Sequence, residues 1–527
     1  MAFSKNPTQD SHAVKRIYPT DEPLITSATW VSSSDSVPNN RFYNCFPLKE
    51  EQNQDDPVLR VHKRAGWTAT AASGTTLPAS SNRGYSAPVQ ALNILLNNVF
   101  YTYNAALMML DLSTNTSSSI STTGTTNYLG TLTNAINSTN TRKICLLESG
   151  AGATTYLTTC DEDGTNVVTT NLAALVLDGS KGLVFINGYL FAANRLGNKI
   201  YNSNAAGVLT TWTSTDFLDA EQYADPIVYI EKHHNYLVAF GSASIEFFYD
   251  GGVEVGSPLV RQESYSTRVG MVSDYFSSTN SRYCARVNDD LYFVGCEDSS
   301  TPALYKISNF KVEKLPENSF IKNMLSSTRG LYQVSTHFIN NNECILLEFL
   351  NSTSDGGGLW AYMISENTWI QIGGSDTPGS GNSQISKPFT MINDTSTYTV
   401  GTTVYLTGSS GTVPSLWHET PTTVDVTATY RTKMTDFDSN RYKHIARVDA
   451  VGDLNNNTIT LAYGTHPNYS TSNLVTTNTI TPSTIGLQNN ISWYNLGAFR
   501  QFYFMVTLAG KFGIFSFLEV EYNMGIS

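Results

Sequence analysis

Charged residues are scarce in this chain of 527 residues. Asp, Glu, Lys and Arg make up 14% of it, against about 25% in an average soluble domain. The 32 basic residues are outnumbered by 44 acidic ones, which gives a formal net charge of -12. The densest basic stretch, Arg60-Val-His-Lys-Arg64, is short and is interpreted as a solvated turn. A protein that grips nucleic acid through its phosphates needs a clustered basic face, so the composition argues against that class.

Signals for metal binding, secretion and membrane insertion are also missing. The first residues, MAFSKNPTQDSHAVKR, lack the apolar core of a signal peptide, and no run of 18 apolar residues occurs. None of the six cysteines forms a C-x-x-C pair, so neither a zinc site nor a disulfide framework is expected. They are predicted to be buried, reduced thiols: Cys45, Cys145, Cys160, Cys284, Cys296 and Cys344.

Motifs of catalysis are absent as well. The chain has no G-x-S-x-G, no H-E-x-x-H, no phosphate-binding Gly-Lys-Ser/Thr loop and no G-x-G-x-x-G after a strand. A glycosidase needs two carboxylates across a cleft. The acidic candidates are scattered, namely Glu246, Asp436 and Asp438.

Two further clusters are expected to be structural. His233 and His234 are neighbours on a predicted strand, where successive side chains point to opposite faces, so they should not chelate one metal. The acidic stretch 160–164 lacks the spacing of a calcium loop and predicts an ordinary turn. We therefore predict no enzyme activity and no catalytic, cofactor-binding or metal-binding residue.

What the chain has instead is a repeat of turns and strands. Aromatic residues make up 11% of the sequence and, with β-branched residues, they are favoured in strands. A short turn precedes such a strand near residues 98, 152, 188, 235, 289, 341 and 402, at a mean spacing of about 50 residues. Asn187-Gly188, between GLVFI and YLFAAN, is the strongest hairpin signal.

A spacing of about 50 residues fits a four-stranded propeller blade. One blade cannot bury both of its faces, whereas a ring of blades can, and it leaves only short edges. We predict an all-β chain with a β-propeller of six or seven blades, an extended N-terminal arm and a C-terminal antiparallel β region. The predicted domains are 1–85 for the arm and first strands, 86–425 for the propeller and 426–527 for the C-terminal region. This last region is expected to form a sandwich or to complete the ring.

Several polar segments interrupt the strands. Residues 1–40 predict an arm that orders only against something else. The Ser/Thr/Gly-rich segments 113–127 and 371–386 predict long loops, which are candidates for contacts. Residues 353–360, TSDGGGLW, approximate the Asp-box pattern, in which an Asp closes a hairpin turn and a Trp packs between strands. A chance Gly-rich turn explains this segment equally well.

Residues 236–320 carry a set of recognisable motifs. They include VAFGSASIEFFYDGG (Gly241, Ser242, Glu246, Tyr249, Asp250, Gly252), SPLVR at 257–261, GMVS at 270–273, NDDLYFVG at 288–295 and LYKI at 304–307. This region resembles the tail-hub or packaged-DNA stabilisation proteins of short-tailed bacteriophages. RFYNCFPLKE at 41–50, followed by Ala65-Gly66-Trp67, is similar to the family's opening segment, with Ala65 in place of the usual Pro. Residues 438–453 and 499–527 are similar to its closing β region.

The resemblance implies a structural virion protein of a phage tail, a hub or nozzle below the portal and its adaptor. Such proteins close the DNA channel after packaging, anchor tail spikes or fibres and open for genome ejection. The implied partners are further copies in a ring, with a hexamer expected, the portal-adaptor ring, tail spike, fibre or needle proteins, and packaged double-stranded DNA without sequence-specific binding. The resemblance implies no cofactor. The protein is expected in the virion, after synthesis in the bacterial host cytoplasm, without membrane insertion.

A carbohydrate-binding or glycoside-hydrolase-type propeller is the alternative. Exposed Trp and Tyr side chains stack on sugars, and the chain has 7 Trp and 29 Tyr. Packing in the core accounts for most aromatic residues on strands, however. The acidic balance favours a conduit instead, because a lumen of net negative charge would keep the duplex off its wall.

Overall fold

The computed structural model describes most of the chain as β-strands joined by turns and three short 3-10 helices. The described residues are 12–17, 41–50, 58–64, 66–71, 73–74, 92–95, 98–103, 106–111, 114, 116–122, 129–149, 154–223, 225–253, 256–272, 283–297, 301–316, 321–322, 325–326, 332–340, 342–349, 359–373, 387–388, 392–393, 403–408, 415–420, 425–432, 442–453, 457–464, 475–476, 489–500, 502–510 and 513–524. None of these residues belongs to a helix long and apolar enough to span a bilayer.

The strands follow one another along the whole chain. The first group is β1 (His12–Ile17), β2 (Arg41–Tyr43), β3 (Cys45–Glu50), β4 (Val58–Lys63), β5 (Gly66–Ala71), β6 (Ser73–Gly74), β7 (Leu92–Leu95), β8 (Asn98–Tyr103), β9 (Ala106–Asp111), β10 (Thr116–Thr122), β11 (Leu129–Ile136), β12 (Arg142–Ser149), β13 (Thr155–Asp161) and β14 (Val168–Asn171). The second group is β15 (Leu183–Ile186), β16 (Tyr189–Ala193), β17 (Lys199–Ala205), β18 (Val208–Asp219), β19 (Ile227–His233), β20 (Tyr236–Gly241), β21 (Ile245–Asp250), β22 (Leu259–Arg261), β23 (Val269–Met271), β24 (Cys284–Val287), β25 (Asp290–Glu297), β26 (Ala303–Ser308) and β27 (Lys311–Lys314).

The remaining elements complete the chain. The third group of strands is β28 (Tyr332–Ile339), β29 (Asn342–Phe349), β30 (Leu359–Met363), β31 (Thr368–Ile372), β32 (Lys387–Pro388), β33 (Ile392–Asn393), β34 (Thr403–Gly408), β35 (Ser415–Thr420), β36 (Val426–Arg431), β37 (Lys443–Asp453), β38 (Thr458–Gly464), β39 (Val475–Thr476), β40 (Asn489–Phe499), β41 (Tyr503–Gly510) and β42 (Ile514–Met524). The 3-10 helices are η1 (Ala173–Leu175), η2 (Gly179–Lys181) and η3 (Glu263–Tyr265).

The residues group into two compact units. The larger unit contains Ala69–Leu359 and Pro378–Glu419, and the smaller one contains Met1–Thr68, Trp360–Thr377 and Thr420–Ser527. The all-β prediction is confirmed. The predicted domain limits at residues 85 and 425 stay a prediction.

In the larger unit, antiparallel sheets succeed one another along the sequence. Their strand orders are β7-β8-β9-β10, β11-β12-β13-β14, β15-β16-β17-β18, β19-β20-β21-β22 and β23-β25-β26-β27, with β24 also paired to β25. The hairpin β28-β29 follows, and β34 then pairs with β32, β33 and β35. The first strand of one sheet lies beside the first strand of the next, as β7, β11, β15 and β19 do. This is the arrangement of propeller blades around an axis.

Both faces of these sheets are buried. On β16, Leu190 packs into a core shared with β12 and β13 of the preceding sheet, whereas the next residue, Phe191, packs into a core shared with β19 and β20 of the following sheet. Successive residues of a strand point to opposite faces, so a strand buried on both sides must be apolar throughout. Burial of each such side chain contributes about 2 kcal/mol. This explains continuous apolar runs such as YLFAA.

The predicted Asn-Gly hairpin forms between β15 and β16. Asn187 (φ 48°) and Gly188 (φ 92°) both have the left-handed conformation that a two-residue turn of this kind requires. At Gly188 an added Cβ would lie 2.9 Å from the Cβ of Ala206, so the position is restricted sterically as well. His234 (φ 52°) and Asn288 (φ 54°) occupy left-handed positions in the β19-β20 and β24-β25 turns.

The smaller unit contains two sheets, which are antiparallel except where β2 pairs in parallel with β31. One has the order β3-β4-β42-β37-β40, with β1 paired to β42, and the other contains β31, β2, β36, β41, β38 and β39 in this order. The ring of Tyr430 on β36 lies 5.8 Å from that of Phe515 on β42, measured between centroids. The two sheets therefore pack face to face as a sandwich, one of the two arrangements expected for this region.

One prediction made from polar composition was wrong in part. Within the predicted loop 113–127, residues Thr116–Thr122 form β10, which pairs with β9 around an irregularity at 119–121. Within the predicted arm 1–40, residues His12–Ile17 form β1, which pairs with β42, in agreement with an arm that orders only against another segment. A strand rich in Ser and Thr carries no hydrophobic alternation, so its pairing partner decides its structure. The other residues of the arm, residues 374–386 and the Asp-box residues 353–358 lie outside the described residues, and Trp360 is buried on β30.

Candidate functional site

The motifs between residues 236 and 261 contain an ion pair whose carboxylate is buried and whose guanidinium is half-buried. Glu246 on β21 is 2% exposed, and its Oε2 accepts a hydrogen bond from Arg261 Nε at 2.7 Å. Its Oε1 accepts from the Gln222 backbone N–H at 3.0 Å. Arg261 Nη2 donates at 2.8 Å to the Asp219 carbonyl, on the last strand of the preceding sheet. Burial raises the pKa of Glu246, and Arg261 counteracts this shift. The pair thus joins two consecutive sheets.

The first glycine of the motif makes room for an acidic side chain. Asp225 Oδ2 accepts hydrogen bonds from the backbone N–H groups of Ala243 at 2.7 Å and Ser244 at 3.1 Å, while its Oδ1 accepts from Ser244 Oγ at 2.9 Å. A Cβ at position 241 would lie 2.1 Å from Asp225 Oδ2. Gly241 is therefore required for the close approach of this carboxylate, which fixes the turn between β20 and β21.

The end of the motif makes a second bridge between sheets. Asp250 Oδ2 accepts a hydrogen bond from Asn187 Nδ2 at 2.8 Å, and its Oδ1 accepts from the Gly252 N–H at 2.9 Å. Asn187 belongs to the hairpin turn of the preceding sheet. The carboxylates of this motif therefore accept hydrogen bonds from N–H groups of their own turn and of the neighbouring turn, so their role is structural.

The two neighbouring histidines lie side by side, in contrast to the prediction. Because His234 has a left-handed backbone conformation, strand alternation ends at His233, and the ring centroids are 4.4 Å apart. His233 Nδ1 lies 2.6 Å from the Asp289 carbonyl oxygen, and the Phe310 N–H donates to His233 Nε2 at 3.4 Å. Both ring nitrogens of His233 are thus engaged by the protein. Burial lowers the pKa of His233.

Phe310 is the centre of an aromatic cluster beside these histidines. It lies in the β26-β27 turn with a φ of 67°, a strained conformation for a bulky residue. Its ring stacks on Tyr265 at 4.5 Å, with the ring planes 8° apart, and meets Tyr236 edge to face at 4.6 Å. The cluster connects the turns of two consecutive sheets and explains why Phe310 keeps its strained backbone.

The sequence interpretation of residues 60–64 as a solvated turn was wrong. Val58–Lys63 is strand β4, and Lys63 and Arg64 are 0% and 1% exposed. Arg64 Nε donates to Asn44 Oδ1 at 2.8 Å, and Arg64 Nη2 donates to the Gly373 carbonyl at 3.0 Å. Lys63 Nζ donates to Asn457 Oδ1 at 2.9 Å. These cations are unavailable to a nucleic acid, because they tie distant segments of the smaller unit together.

Part of the larger unit is similar in sequence to a known protein family. Residues 113–351, a little under half of the chain, match the family model described as Bacteriophage P22 Gp10, beta-propeller. Over these residues, the chain is similar to this phage stabilisation family. The propeller prediction and the resemblance seen in residues 236–320 are thereby confirmed. The weaker resemblances at 41–67 and in the C-terminal region lie beyond the matched residues and stay predictions.

Solved structures offer only distant likeness to this chain. The N-terminal domain of Nup159 is 11% identical, with a TM-score of 0.39 over 72% of this chain and 98% of that chain. An exo-beta-1,3-galactanase from Phanerochaete chrysosporium is 8% identical, with a TM-score of 0.23 over 86% of this chain and all of that chain. Neither likeness carries a conclusion about function. No curated protein matches the sequence.

The other candidate residues do not come together among the residues that the structure describes. The acidic stretch 160–164 contains the end of β13 at Asp161 and the turn that follows it; Asp161 pairs with Lys143, and Asp163 accepts a hydrogen bond from Thr165. Asp436 and Asp438 lie outside the described residues, and Glu246 is paired with Arg261. Four of the six cysteines are buried, and Cys284 and Cys296 are half-buried. Within the described part of the chain, no group of three His, Cys, Asp or Glu side chains could hold a metal ion.

Sequence reasoning missed two buried titratable residues of the propeller. Glu148 on β12 is 2% exposed, and its Oε2 has no hydrogen-bond partner. Burial raises its pKa to about 7. Lys181 in η2 donates to the Ile227 carbonyl at 2.7 Å, and burial lowers its pKa to about 8. Glu148 lies within a strand and Lys181 within a short 3-10 helix, and no sequence motif distinguishes either position.

A surface pocket in the described part of the chain lies at the tips of three hairpins. It has a volume of about 340 Å³ and is lined by Ile136, Asn137, Ser138, Phe185, Asn187, Gly188, Ala206 and Gly207. Its backbone donors are already used, because the Ser138 N–H bonds to the Gly207 carbonyl and the Gly207 N–H bonds to the Gly188 carbonyl. The pocket holds no pair of carboxylates and offers no catalytic arrangement.

Proposed function

We propose that this phage structural protein is a tail hub or nozzle that lies below the portal-adaptor ring. It closes the DNA channel after packaging, anchors tail spikes, fibres or needle proteins, and opens for genome ejection. The observation that carries the proposal is the match of residues 113–351 to the phage stabilisation family. The proposed site of action is the virion tail, after synthesis in the host cytoplasm.

The interior of the propeller supports a scaffold in place of an enzyme. The charged residues of the family motif, Glu246, Arg261 and Asp250, bond to one another or to neighbouring turns. A catalytic carboxylate would instead be directed at a cleft where a substrate binds. We therefore propose a protein without enzymatic activity or cofactor, whose charged groups hold consecutive sheets in register.

The working assembly is a ring of copies, and six is the number we propose. A ring around the DNA path gives the protein a continuous wall and presents the same contact surfaces to every neighbour. The formal charge of -12 supports a conduit function, because a wall of net negative charge repels the duplex that passes through it.

A deletion in the phage tests the proposal. Phage lacking the gene should package DNA and then lose it, so the particles should be empty and non-infectious. Protein supplied in trans should restore filled particles, and an antibody should label the tail in electron micrographs. Particles that retain their DNA and infectivity without the protein would overturn the proposal, as would its absence from purified virions.

Electron microscopy tests the assembly itself. The purified protein, alone and with the portal-adaptor ring, should form rings with a central channel. A glycan-binding screen and an assay for reducing-sugar release serve as the opposing readouts. Robust release of sugar by the purified chain, without ring formation, would favour the alternative of a glycoside-hydrolase-type propeller.

A further inference from the structure

Strand β1 occupies an edge that the rest of its sheet leaves open. β42 pairs with β37 along one side, over Ile514–Met524. On its other side, β4 covers only Ile514 and Phe515. Residues 518–523 of that side pair with β1, from Ile17 opposite Leu518 to His12 opposite Asn523. Among the described residues, β42 is the only strand with which β1 pairs.

The open edge has the properties of a docking site for a strand. Leu518 and Val520 are fully buried and Tyr522 is 5% exposed, so one face of this segment belongs to the core. The alternate residues Glu519 and Glu521 are half-buried and lie beside Arg447 and Asp449 of β37. Without β1, six residues of a well-packed strand would present unpaired backbone groups, which recruit another strand.

The register is compatible with the segment that is found there. It places Arg16 at the position directly opposite Glu519, and residues of opposite charge are favoured at directly paired positions of a sheet. Main-chain hydrogen bonds supply the remaining affinity, and they are the same whichever copy of the chain provides the strand.

The connection to β1 is much longer than a local pairing needs. β1 ends at Ile17 and β2 begins at Arg41, so residues 18–40 separate them. Connections within compact domains are commonly two to six residues, whereas a segment of this length reaches up to about 75 Å when extended. Its length permits β1 to leave its own unit and reach a neighbouring molecule.

We infer that β1 is an exchanged strand, which pairs with β42 of a second copy of this chain. The inference rests on the proposed ring assembly, in which each copy gives one strand and receives one. Such a head-to-tail exchange gives a ring when the rotation between neighbouring copies closes on itself. It adds an interface of backbone hydrogen bonds between neighbours without requiring a new surface, because the docking edge is the one described above.

Cross-linking decides which copy supplies the strand. In the double variant Arg16→Cys/Glu519→Cys the two thiols replace directly opposed residues, so mild oxidation should link them. Exchange between copies gives covalent multimers on a non-reducing gel. The matched control His12→Cys/Glu519→Cys places the thiols four residues out of register, about 13 Å apart, and should not link. The wild-type chain controls for its own six cysteines.

Mixing single variants gives the sharper readout. Chains carrying Arg16→Cys alone and Glu519→Cys alone, refolded together, can join these positions only between molecules. We expect covalent dimers from the mixture and none of the Arg16–Glu519 link from either variant alone. Mass spectrometry of the linked peptides verifies that residues 16 and 519 are joined.

The outcomes separate this inference from the ring proposal. Light scattering after gel filtration measures the assembly independently. A ring in which residues 16 and 519 link only within one chain overturns strand exchange and leaves the ring standing. Linked dimers without a ring support exchange and overturn the ring. A link in neither arrangement overturns the inference, because β1 would then not occupy the β42 edge at all.

Discussion

At the scale of single residues, the family motif is a set of bonds between turns and sheets. Glu246 pairs with Arg261, which also reaches the preceding sheet through the Asp219 carbonyl. The sequence shows that a Glu and an Arg are present, but not that their side chains form an ion pair. Their meeting depends on the register of β21 with β22, where Phe248 lies opposite Arg261.

Removal of the Arg261 side chain should destabilise the propeller. Arg261→Ala leaves the carboxylate of Glu246 buried without its cation, and breaking such a pair typically costs about 3 kcal/mol. Thermal unfolding measures the effect as a lower midpoint. Lys311→Ala is the control, since the Lys311–Glu313 pair is largely exposed and should leave the midpoint unchanged. Equal midpoints for the two variants would show that the Glu246–Arg261 pair does not contribute measurably to stability.

Glu148 should make stability depend on pH. Burial raises its pKa from 4.5 to about 7, so the folded chain keeps a proton that the unfolded chain releases. Stability from this group is therefore full below about pH 4.5 and declines as the pH rises to about 7. The shift corresponds to about 3 kcal/mol.

The variant Glu148→Gln isolates this contribution. It should flatten the decline in the unfolding midpoint between pH 4.5 and 7, because a glutamine does not titrate. Glu297→Gln, which changes an exposed residue at the end of β25, should follow the wild-type curve. A Glu148→Gln curve parallel to wild type would mean that Glu148 is ionised in the folded protein.

At the scale of elements, local signals predicted hairpins well and burial poorly. Asn187-Gly188 formed its turn because two left-handed residues in succession are a property of those residue types. Arg64 and Lys63 are buried because Asn44, Gly373 and Asn457 come from distant parts of the chain. No local pattern contains those partners, so a short basic stretch was interpreted as exposed.

The same limit applies to β10 and to the two histidines. β10 is a run of Ser and Thr that becomes a strand because β9 is available to pair with it. The side chains of His233 and His234 converge because a single left-handed residue ends the strand alternation. Both features are set by the backbone of a particular turn or edge, which residue periodicity does not record.

The Asn187-Gly188 turn gives a prediction at this scale. Gly188→Ala combines a left-handed backbone with contact to Ala206, so it should lower the unfolding midpoint more than Gly252→Ala does. Gly252 also has a positive φ, of 66°, but no atom lies within 4 Å of an added Cβ. Its substitution therefore carries the conformational cost alone, about 1 kcal/mol. Equal effects would assign the whole cost at Gly188 to its backbone conformation.

At the scale of the whole molecule, the sequence indicated the structural class and a family resemblance but not how segments combine. The repeat of about 50 residues indicated successive sheets, and residues 113–351 match the model of a phage β-propeller family. The smaller unit, by contrast, gathers three separate segments of the chain. Pairs such as β2 with β36 join residues nearly 400 positions apart, and the sequence of neither strand indicates which strand it pairs with.

The acidic balance leads to a prediction for the assembled protein. With 32 basic and 44 acidic residues, and with Lys63 and Arg64 buried, we expect no retention of double-stranded DNA at physiological ionic strength. Fluorescence anisotropy of a labelled duplex, titrated from low to high salt, measures this directly. A binding protein that releases counterions loses affinity steeply, with a slope close to -0.9 per phosphate contacted. The proposed conduit should show a slope near zero, because a repelled duplex makes few such contacts. Tight binding at about 150 mM salt, with a salt slope that corresponds to several phosphate contacts, would contradict this prediction. It would mean that the protein presents a basic surface to the DNA in spite of its negative net charge.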